Sequence, residues 1–568
     1  MIAYRCPTCG ITCELSKCPV CNERAECQTS IFWCDNCNIP TFDDNCDLCK
    51  GKTRYIGTEL RPVFPQERLL LEIILDKPMA YADASVWFTT GNRYVVNGKV
   101  IHLSSTQWSK KGVDEIRASL AEYQSTNEAN SFEHYAELFV QANAKRYEYI
   151  TAEAFHAIGD IAKDFSAGDM FVSFSGGKDS TVTSSLAMRA LGNPSIIHLY
   201  GNTTLEFPET ENYIERFKAV NRKMPLLIAK NTEKNFYDMC NIVGPPSRVM
   251  RWCCIVFKTG AITNKIERTF AAKKHILTFY GIRRSESSSR NKYERATDSP
   301  KISKQLVFSP IIDWLDFDIW LYILSAKLDF NDAYRYGYTR VGCWCCPNNS
   351  KWSEFLSQIY MPEQYRAFHE QLVAFAKKVG KTDTEEYVNS GGWKARQGGN
   401  GLEISKNFMV SYKPCTLEEN SFNYELTKPI TQELYEMFKP FGRLDFDMGN
   451  PRLGEVYVLD ANGMPLLKLQ GRIGKNTLKV SILKLPLMGC PRIREAELKI
   501  KCQLSKYQIC LGCMACLSVC THDAIRITSD DNGYHYKILE NKCVRCGQCV
   551  NHFDGGCYMR DVIRTKMR

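Results

Sequence analysis

Apolar and polar positions change period several times along the chain. Met170-Phe171-Val172 is a short unbroken apolar run and reads as a strand buried on both faces. A small, polar, Gly-containing stretch follows to Thr181. Val182 to Leu191 then places apolar residues at helical spacing and stops at Gly192. Further apolar runs predict strands over 195–200, 226–229 and 276–280, with a helix over 209–220. Strands alternating with helices predict a parallel sheet whose ligand sits at the carboxyl ends of the strands. Residues 114–164 upstream read as helical. Before them, 93–96 and 99–103 flank Asn97-Gly98, a two-residue hairpin signal. Within 385–485, the segments 455–459, 466–470 and 478–483 alternate like strands, with Asn462-Gly463 as a turn, and predict a small α+β module.

Composition narrows the class. A chain of 568 residues holds about three or four domains at ~150 residues each. Hydrophobic content of 44% fits a globular protein. There is no run of about 18 apolar residues. The opening Met1-Ile2-Ala3-Tyr4-Arg5-Cys6 lacks the apolar core of a secretion signal. The expectation is a cytoplasmic protein without membrane contact. A net charge of +10 is a mild bias, compatible with anionic substrates or nucleic acid. The 27 cysteines are the outlier, mostly clustered at C-x2-C spacing. In a large chain without a secretion signal, that favours metal or catalytic sites over disulfides.

At the N-terminus, Cys6, Cys9, Cys18 and Cys21 form one paired set, and Cys34, Cys37, Cys46 and Cys49 a second. Two knuckles of two thiolates complete a tetrahedral four-sulfur shell, so two zinc ribbons are expected, with iron as the competing metal. No coordination position stays open, which suits a structural or docking element. Cys13 and Cys27 are left over.

Ser173-Phe174-Ser175-Gly176-Gly177-Lys178-Asp179-Ser180 lies between the buried strand and the helix. Glycines allow close approach, the helix N-terminus offers N–H groups and partial positive charge, and Lys178 adds a full charge. The Walker A spacing is absent. The stretch resembles the pyrophosphate loop of the adenine-nucleotide α-hydrolase superfamily, which includes ATP pyrophosphatases and the phosphoadenylyl-sulfate (PAPS) and adenylyl-sulfate (APS) reductases. Gly281-Ile282-Arg283-Arg284-Ser285-Glu286 with Arg290 is similar to a PAPS reductase signature. The resemblance implies that Arg283, Arg284 and Arg290 face the sulfate or phosphate end of the substrate. Phe207-Pro208-Glu209-Thr210 and Pro310 to Trp314, with Asp318 and Trp320, resemble later family motifs.

Cys253-Cys254 followed by Cys343-Trp344-Cys345-Cys346 resembles the cluster signature of assimilatory APS reductases. It implies one 4Fe–4S cluster on Cys253, Cys254, Cys343 and Cys346; zinc remains an alternative for four sulfurs. The family's Glu-Cys-Gly-x-His tail is absent. Cys345, Cys240, Cys415 and Cys490 are therefore candidate nucleophiles, with Cys345 inside the motif. In the last stretch, Cys510, Cys513, Cys516 and Cys520 have bacterial ferredoxin spacing, and Cys543, Cys546 and Cys549 repeat it before Cys557. The crossing rule of such ferredoxins puts Cys510, Cys513, Cys516 and Cys557 on one 4Fe–4S cluster. It puts Cys520, Cys543, Cys546 and Cys549 on the other.

The expected class is α/β. A parallel-sheet pyrophosphate-loop (HUP-like) central domain carries N-terminal zinc ribbons and a C-terminal bacterial-type ferredoxin α+β domain. Expected boundaries are ribbons 1–54, a β-rich, possibly PUA-like module 55–110, a helical connector 111–165, the nucleotide domain 166–387, a further α+β module 388–500 and the ferredoxin 501–568. The expected function is reduction of APS or PAPS to sulfite, with electrons from an upstream low-potential donor entering through the ferredoxin. Lys178, Arg283, Arg290 and Cys345 are the expected catalytic residues. Ser173, Ser175, Gly176, Gly177, Lys178, Asp179, Ser180, Arg284 and Glu286 would bind the nucleotide or its phosphates. The alternative is an ATP-dependent sulfurtransferase that modifies nucleic acid.

Overall fold

The computed structural model describes residues 3–6, 8–13, 18–23, 26–128, 130–231, 235–287, 290–299, 304–399, 402–407, 410–520, 522–530, 533–553 and 555–563. Ser288 and Ser289 of the Arg-rich segment lie outside them.

A six-stranded sheet organises the central domain. Its strands are β1 (Met170–Phe174), β2 (Ile197–Asn202), β3 (Leu226–Lys230), β4 (Ile276–Tyr280), β5 (Ala296–Asp298) and β6 (Gln305–Phe308). The order is β3-β2-β1-β4-β6-β5. All pairings are parallel except that of β5 with β6. The order reverses between β1 and β4, so the crevice at their carboxyl ends is the position where such sheets bind ligands.

Helices cover both faces. On one side, α1 (Lys178–Ala190) and α3 (Asp316–Ser325) pack with the long helix Ala144–Ala162. Ile158, Val172, Leu186, Leu277 and Trp320 join in that core. On the other side, Phe171, Leu199, Ile266 and Phe270 form a second cluster. Phe174 packs with Tyr213 and Phe217 of α2 (Pro208–Val220) in a third. Burial on both sides explains the unbroken apolar run of β1. Helix α1 begins at Lys178, earlier than the apolar periodicity suggests, because its polar first turn serves the loop rather than the core.

Asp318 of the family motif acts in this packing. It receives both Nε and Nη2 of Arg146, at 2.9 and 2.8 Å, which ties the connector helix to α3. Its second oxygen also accepts the Leu315 N–H.

The segment 60–102 is a four-stranded antiparallel sheet. Val96 pairs with Lys99 across Asn97-Gly98, and the two turn residues have φ of 45° and 77°, as a tight hairpin turn demands. This module shares a core with the central domain, Tyr94 and Trp108 lying in one cluster with Phe207, Trp252 and Trp352. Residues 411–482 form a six-stranded antiparallel sheet containing Glu455–Leu459, Pro465–Gln470 and Thr477–Ile482. The helix Ile493–Ile509 then runs across position 500, where the sequence places a domain junction. Its Ile500, Leu504 and Tyr507 fill one core with Val458 and Val480 of that sheet and with Ile525 and Tyr536 of the ferredoxin hairpin. No described helix is long and apolar enough to cross a membrane.

Candidate nucleotide and iron–sulfur sites

The nucleotide loop turns between β1 and α1. Gly176 has φ of 72°, and a Cβ there would meet Thr210 Cγ2 at 2.9 Å, so a side chain is excluded on both counts. Asn331 Nδ2 holds the Gly176 carbonyl at 3.2 Å. Ser180 Oγ donates to the Gly177 carbonyl at 2.8 Å and accepts the Ser175 N–H at 3.2 Å. The Lys178 N–H donates to Tyr334 Oη at 3.1 Å. The N–H groups of Asp179 and Ser180, in the first turn, have no intrahelical acceptor and remain the natural anion contacts. Ser173 sits on β1 itself, in register with Tyr280 of β4.

The cations expected at this loop are largely committed to carboxylates. Lys178 Nζ lies 3.1 Å from Asp179 and 3.0 Å from Asp316. Arg283 reaches the same pair at 2.6 and 2.9 Å. Two cations and two anions thus form a neutral, buried square. Burial disfavours the Asp179 carboxylate, but Arg283 and Lys178 hold its pKa well below the usual range. Arg284 pairs with Asp313, and Arg290 with Glu286. Buried guanidinium groups require such partners, so Lys178, Arg283 and Arg284 brace the loop instead of presenting free charge. Arg290 is the partly exposed member. Burial first, and then the charge of nearby Arg340, lowers its pKa.

Arg340 was missed by the sequence reading, since no local motif marks it. It is exposed, no carboxylate pairs with it among the described residues, and it lies near Arg290 on one side and Cys346 on the other. Asp316 and Glu59 were missed for the same reason. Glu59 comes from the N-terminal module, accepts the Phe317 N–H at 3.0 Å and faces Asp316 and Arg283. Burial, and then the Asp316 charge, push its carboxyl up to about 8.

Cys254 begins a helical turn that packs on β2 and β3, and Cys343 pairs with Glu206 just beyond β2. Cys343 Sγ is 3.4 Å from Thr203 Oγ1, just beyond β2. The sulfurs of Cys343 and Cys346 both feel Cys254, and Cys253 feels Cys343. Cys254–Thr259 is π-helical, a form concentrated at functional sites, and continues into the helix Gly260–Thr269. Cys345 is 7% exposed, and its thiol is pushed well up by burial and then by Cys343 and Cys240. These surroundings oppose the thiolate that a nucleophile needs. Cys240 is buried and raised for the same reason. Cys415 is lowered, by the N–H of Leu417 first, but belongs to the antiparallel sheet domain.

The two N-terminal sets close tightly. All four sulfurs of Cys6, Cys9, Cys18 and Cys21 lie within 4.8 Å of one another, as do those of Cys34, Cys37, Cys46 and Cys49. A tetrahedron with ~2.3 Å bonds has edges of about 3.8 Å, so each set fits one zinc ion. Gly10, Asn22, Asn38 and Lys50, the residue after each second cysteine, have φ of 68°, 59°, 53° and 56°. This repeated left-handed step folds each C-x2-C into a knuckle. Among the described residues, no other group of three or more His, Cys, Asp or Glu closes to 4.8 Å. The remaining cysteine sets offer sulfur donors only, a donor type that suits an iron–sulfur cluster as well as zinc.

In the C-terminal domain, Cys513 is pushed well up by burial and then by Cys557, Cys516 and Cys510. Cys549 is pushed up to about 11 by burial, with Cys516, Cys520 and Cys543 adding to it. Cys513 thus neighbours Cys510, Cys516 and Cys557, while Cys549 neighbours Cys520 and Cys543 and also Cys516; Cys546 is exposed. The loop of Cys513 packs on the central domain: a Cβ on Gly260 would meet Cys513 O and Met514 Cβ at 3.2 Å. Trp252, Trp344, Cys345, Cys513 and Cys557 share one buried cluster. Tyr558 faces Cys513, Cys254 and Cys253 together.

Residues 169–349 match the phosphoadenosine phosphosulfate reductase domain, and residues 509–552 the 4Fe-4S dicluster domain. An uncharacterised protein of Methanocaldococcus jannaschii is 31% identical over 241 residues, 42% of this chain and 48% of its own. A second from that organism is 31% identical over 222 residues, 39% of this chain and 51% of its own. The adenosine 5'-phosphosulfate reductase of Neisseria meningitidis serogroup B is 31% identical over 143 residues, 25% of this chain and 52% of its own. The chain thus spans about half the length of these relatives.

Proposed function

We propose that this chain, which carries a phosphoadenosine phosphosulfate reductase domain and a 4Fe-4S dicluster domain, reduces APS or PAPS to sulfite with electrons received at its C-terminus. The observation that carries the reading is the junction of the two domains. The Cys513 loop rests on Gly260, in the helix that follows Cys253 and Cys254, and Cys513 and Cys557 share one core with Trp252 and Trp344, the sequence neighbours of Cys253 and Cys343. Cys253, Cys254, Cys343 and Cys346 would hold a third cluster, beside the two of the dicluster domain. When bound, these groups supply single electrons at a buried junction.

The chain's own residues do the rest. The first-turn N–H groups of Asp179 and Ser180 hold the nucleotide phosphate. Reduction breaks the sulfur–oxygen bond of the phosphate–sulfate bridge. Two electrons enter, the bridging oxygen stays with the nucleotide, and sulfur leaves as sulfite. The products carry two more negative charges than the substrate. Arg290 and Arg340, whose charges reach each other and, from Arg340, Cys346, are the cations that would balance them. The neutral square around Lys178 keeps the loop rigid without trapping the nucleotide product by excess charge.

The test is anaerobic turnover of iron-loaded protein with a low-potential reductant and APS, PAPS or ATP, assaying sulfite, AMP and pyrophosphate. Sulfite from APS or PAPS is the expected result and identifies the substrate. Pyrophosphate from ATP with no sulfite refutes the reading and favours sulfur transfer to nucleic acid.

A further inference from the structure

Lys506 is 2% exposed, on the buried face of the helix Ile493–Ile509 that leads into Cys510. Its Nζ donates to Tyr536 Oη at 3.3 Å and stands 4.5 Å from the centre of that ring. No carboxylate pairs with it among the described residues. The nearby Glu433 and Glu436 are engaged by Lys428 and Lys439 and by the backbone of the 525–538 hairpin. Tyr536 lies in one core with Cys516 and Cys549, and the helix of Lys506 packs on the helix that carries Cys549 and on the one that follows Cys557. Cys510, Cys516, Cys549 and Cys557 are sulfurs within reach of its charge. Cys510, Cys516 and Cys557 belong to one expected cluster set and Cys549 to the other. A full positive charge is thus buried between two ligand sets with no anionic side chain to balance it. Buried charges persist in folded proteins only when paired or coordinated. An iron–sulfur cluster on four thiolates is a net anion in either redox state and gains one more negative charge on reduction.

We propose that the Lys506 ammonium is the shared counter-charge of the two C-terminal clusters and sets the reduction potential of both. The proposal rests on the two ligand sets holding clusters. A fixed positive charge favours the more negative, reduced state, so Lys506 raises both potentials together. With both clusters shifted by one group, neither becomes a trap for the electron passing between them.

The test uses the full chain, loaded with iron and sulfide anaerobically, as wild type, Lys506→Met, Lys506→Gln and Lys506→Arg. Iron and sulfide are quantified first, and the potentials of the C-terminal clusters are then followed by EPR during a redox titration. Both neutral variants are expected to titrate lower at both clusters by at least 59 mV, a tenfold change in a one-electron equilibrium. The arginine variant is expected to stay within that margin of wild type. Unchanged potentials in a loaded neutral variant overturn the proposal, as does a shift at one cluster alone. If both neutral variants fail to load while the arginine variant loads, the charge belongs to assembly, and the proposal also fails. A wild-type chain that takes up no iron at these cysteines defeats the underlying reading, before any variant is titrated.

Discussion

Gly281→Ala should damage the nucleotide crevice although the new side chain is a single methyl group. Gly281 directly follows β4, and a Cβ there would lie 2.7 Å from the carbonyl carbon and oxygen of Asp179 and 2.8 Å from the Ser180 nitrogen. These are backbone atoms of the first turn of α1, so no rotamer change relieves the clash. Restoring the 3.4 Å of ordinary contact requires the strand end and the helix to part by 0.7 Å, the difference between 3.4 and 2.7 Å. That separation strains the Arg283–Asp179 ion pair, now at 2.6 Å. Overpacking of this kind costs ~1–3 kcal/mol. At ~2–4 °C per kcal/mol for a domain of this size, the central transition should fall by roughly 2–12 °C. Calorimetric titration with APS or PAPS should show at least tenfold weaker binding, because the displaced N–H groups are the proposed anion contacts. The control is Gly159→Ala, inside the helix Ala144–Ala162, where a Cβ meets nothing within 4 Å. It should stabilise by ~0.5–1 kcal/mol. A Gly281→Ala protein that melts and binds like wild type would refute the argument that close approach, and not chain flexibility, explains the glycine.

Asp318→Asn leaves the Arg146 guanidinium buried opposite a neutral amide and should cost ~3–5 kcal/mol, read as a lowered melting temperature. Glu59→Gln tests a pH effect of definite sign. The folded-state pKa of about 8 lies above the ordinary value of 4.5, so the folded form holds a proton that the unfolded chain releases. Stability from Glu59 is therefore complete below pH 4.5 and falls as pH rises towards 8. The glutamine variant should melt higher than wild type at pH 8, with the difference vanishing near pH 4. A constant difference at both pH values would contradict that cause. For the ribbons, elemental analysis should find two zinc ions per chain, and Cys46→Ser should lose one while keeping the other.

The strands and helices of the central domain were legible because burial on both faces of a parallel sheet writes unbroken apolar runs, as in Met170 to Val172 and Ile276 to Tyr280. The cysteine knuckles were legible because their chemistry is local. The electrostatics of the crevice were not. Whether Arg283 is free or spent depends on Asp316, distant in sequence, and on Glu59, which arrives from another module. Arg340 matters only through the reach of its charge to Arg290 and Cys346, which no spacing in the sequence encodes. Cys345 looked reactive by position, whereas its burial argues the reverse. The helix Ile493–Ile509 was obscured because its buried face serves two partners at once, and a face that wide shows weak periodicity.

That helix bears on how such a protein could be assembled in evolution. A dicluster domain is often pictured as a cassette, joined by a linker to whatever enzyme needs electrons. Here the seam runs through a shared core: Ile500 and Leu504 face the antiparallel sheet and the ferredoxin hairpin together, while Cys513, Cys557 and Met559 are embedded in the core of the central domain. A recombination that cut at either boundary would expose apolar surface on both products. The antiparallel sheet is then inherited with the dicluster domain as its keel. Exchange of the redox partner therefore requires the central domain's face around Trp252 and Gly260 to change together with everything from about residue 410 onward, and lineages that lose the clusters should lose the sheet with them.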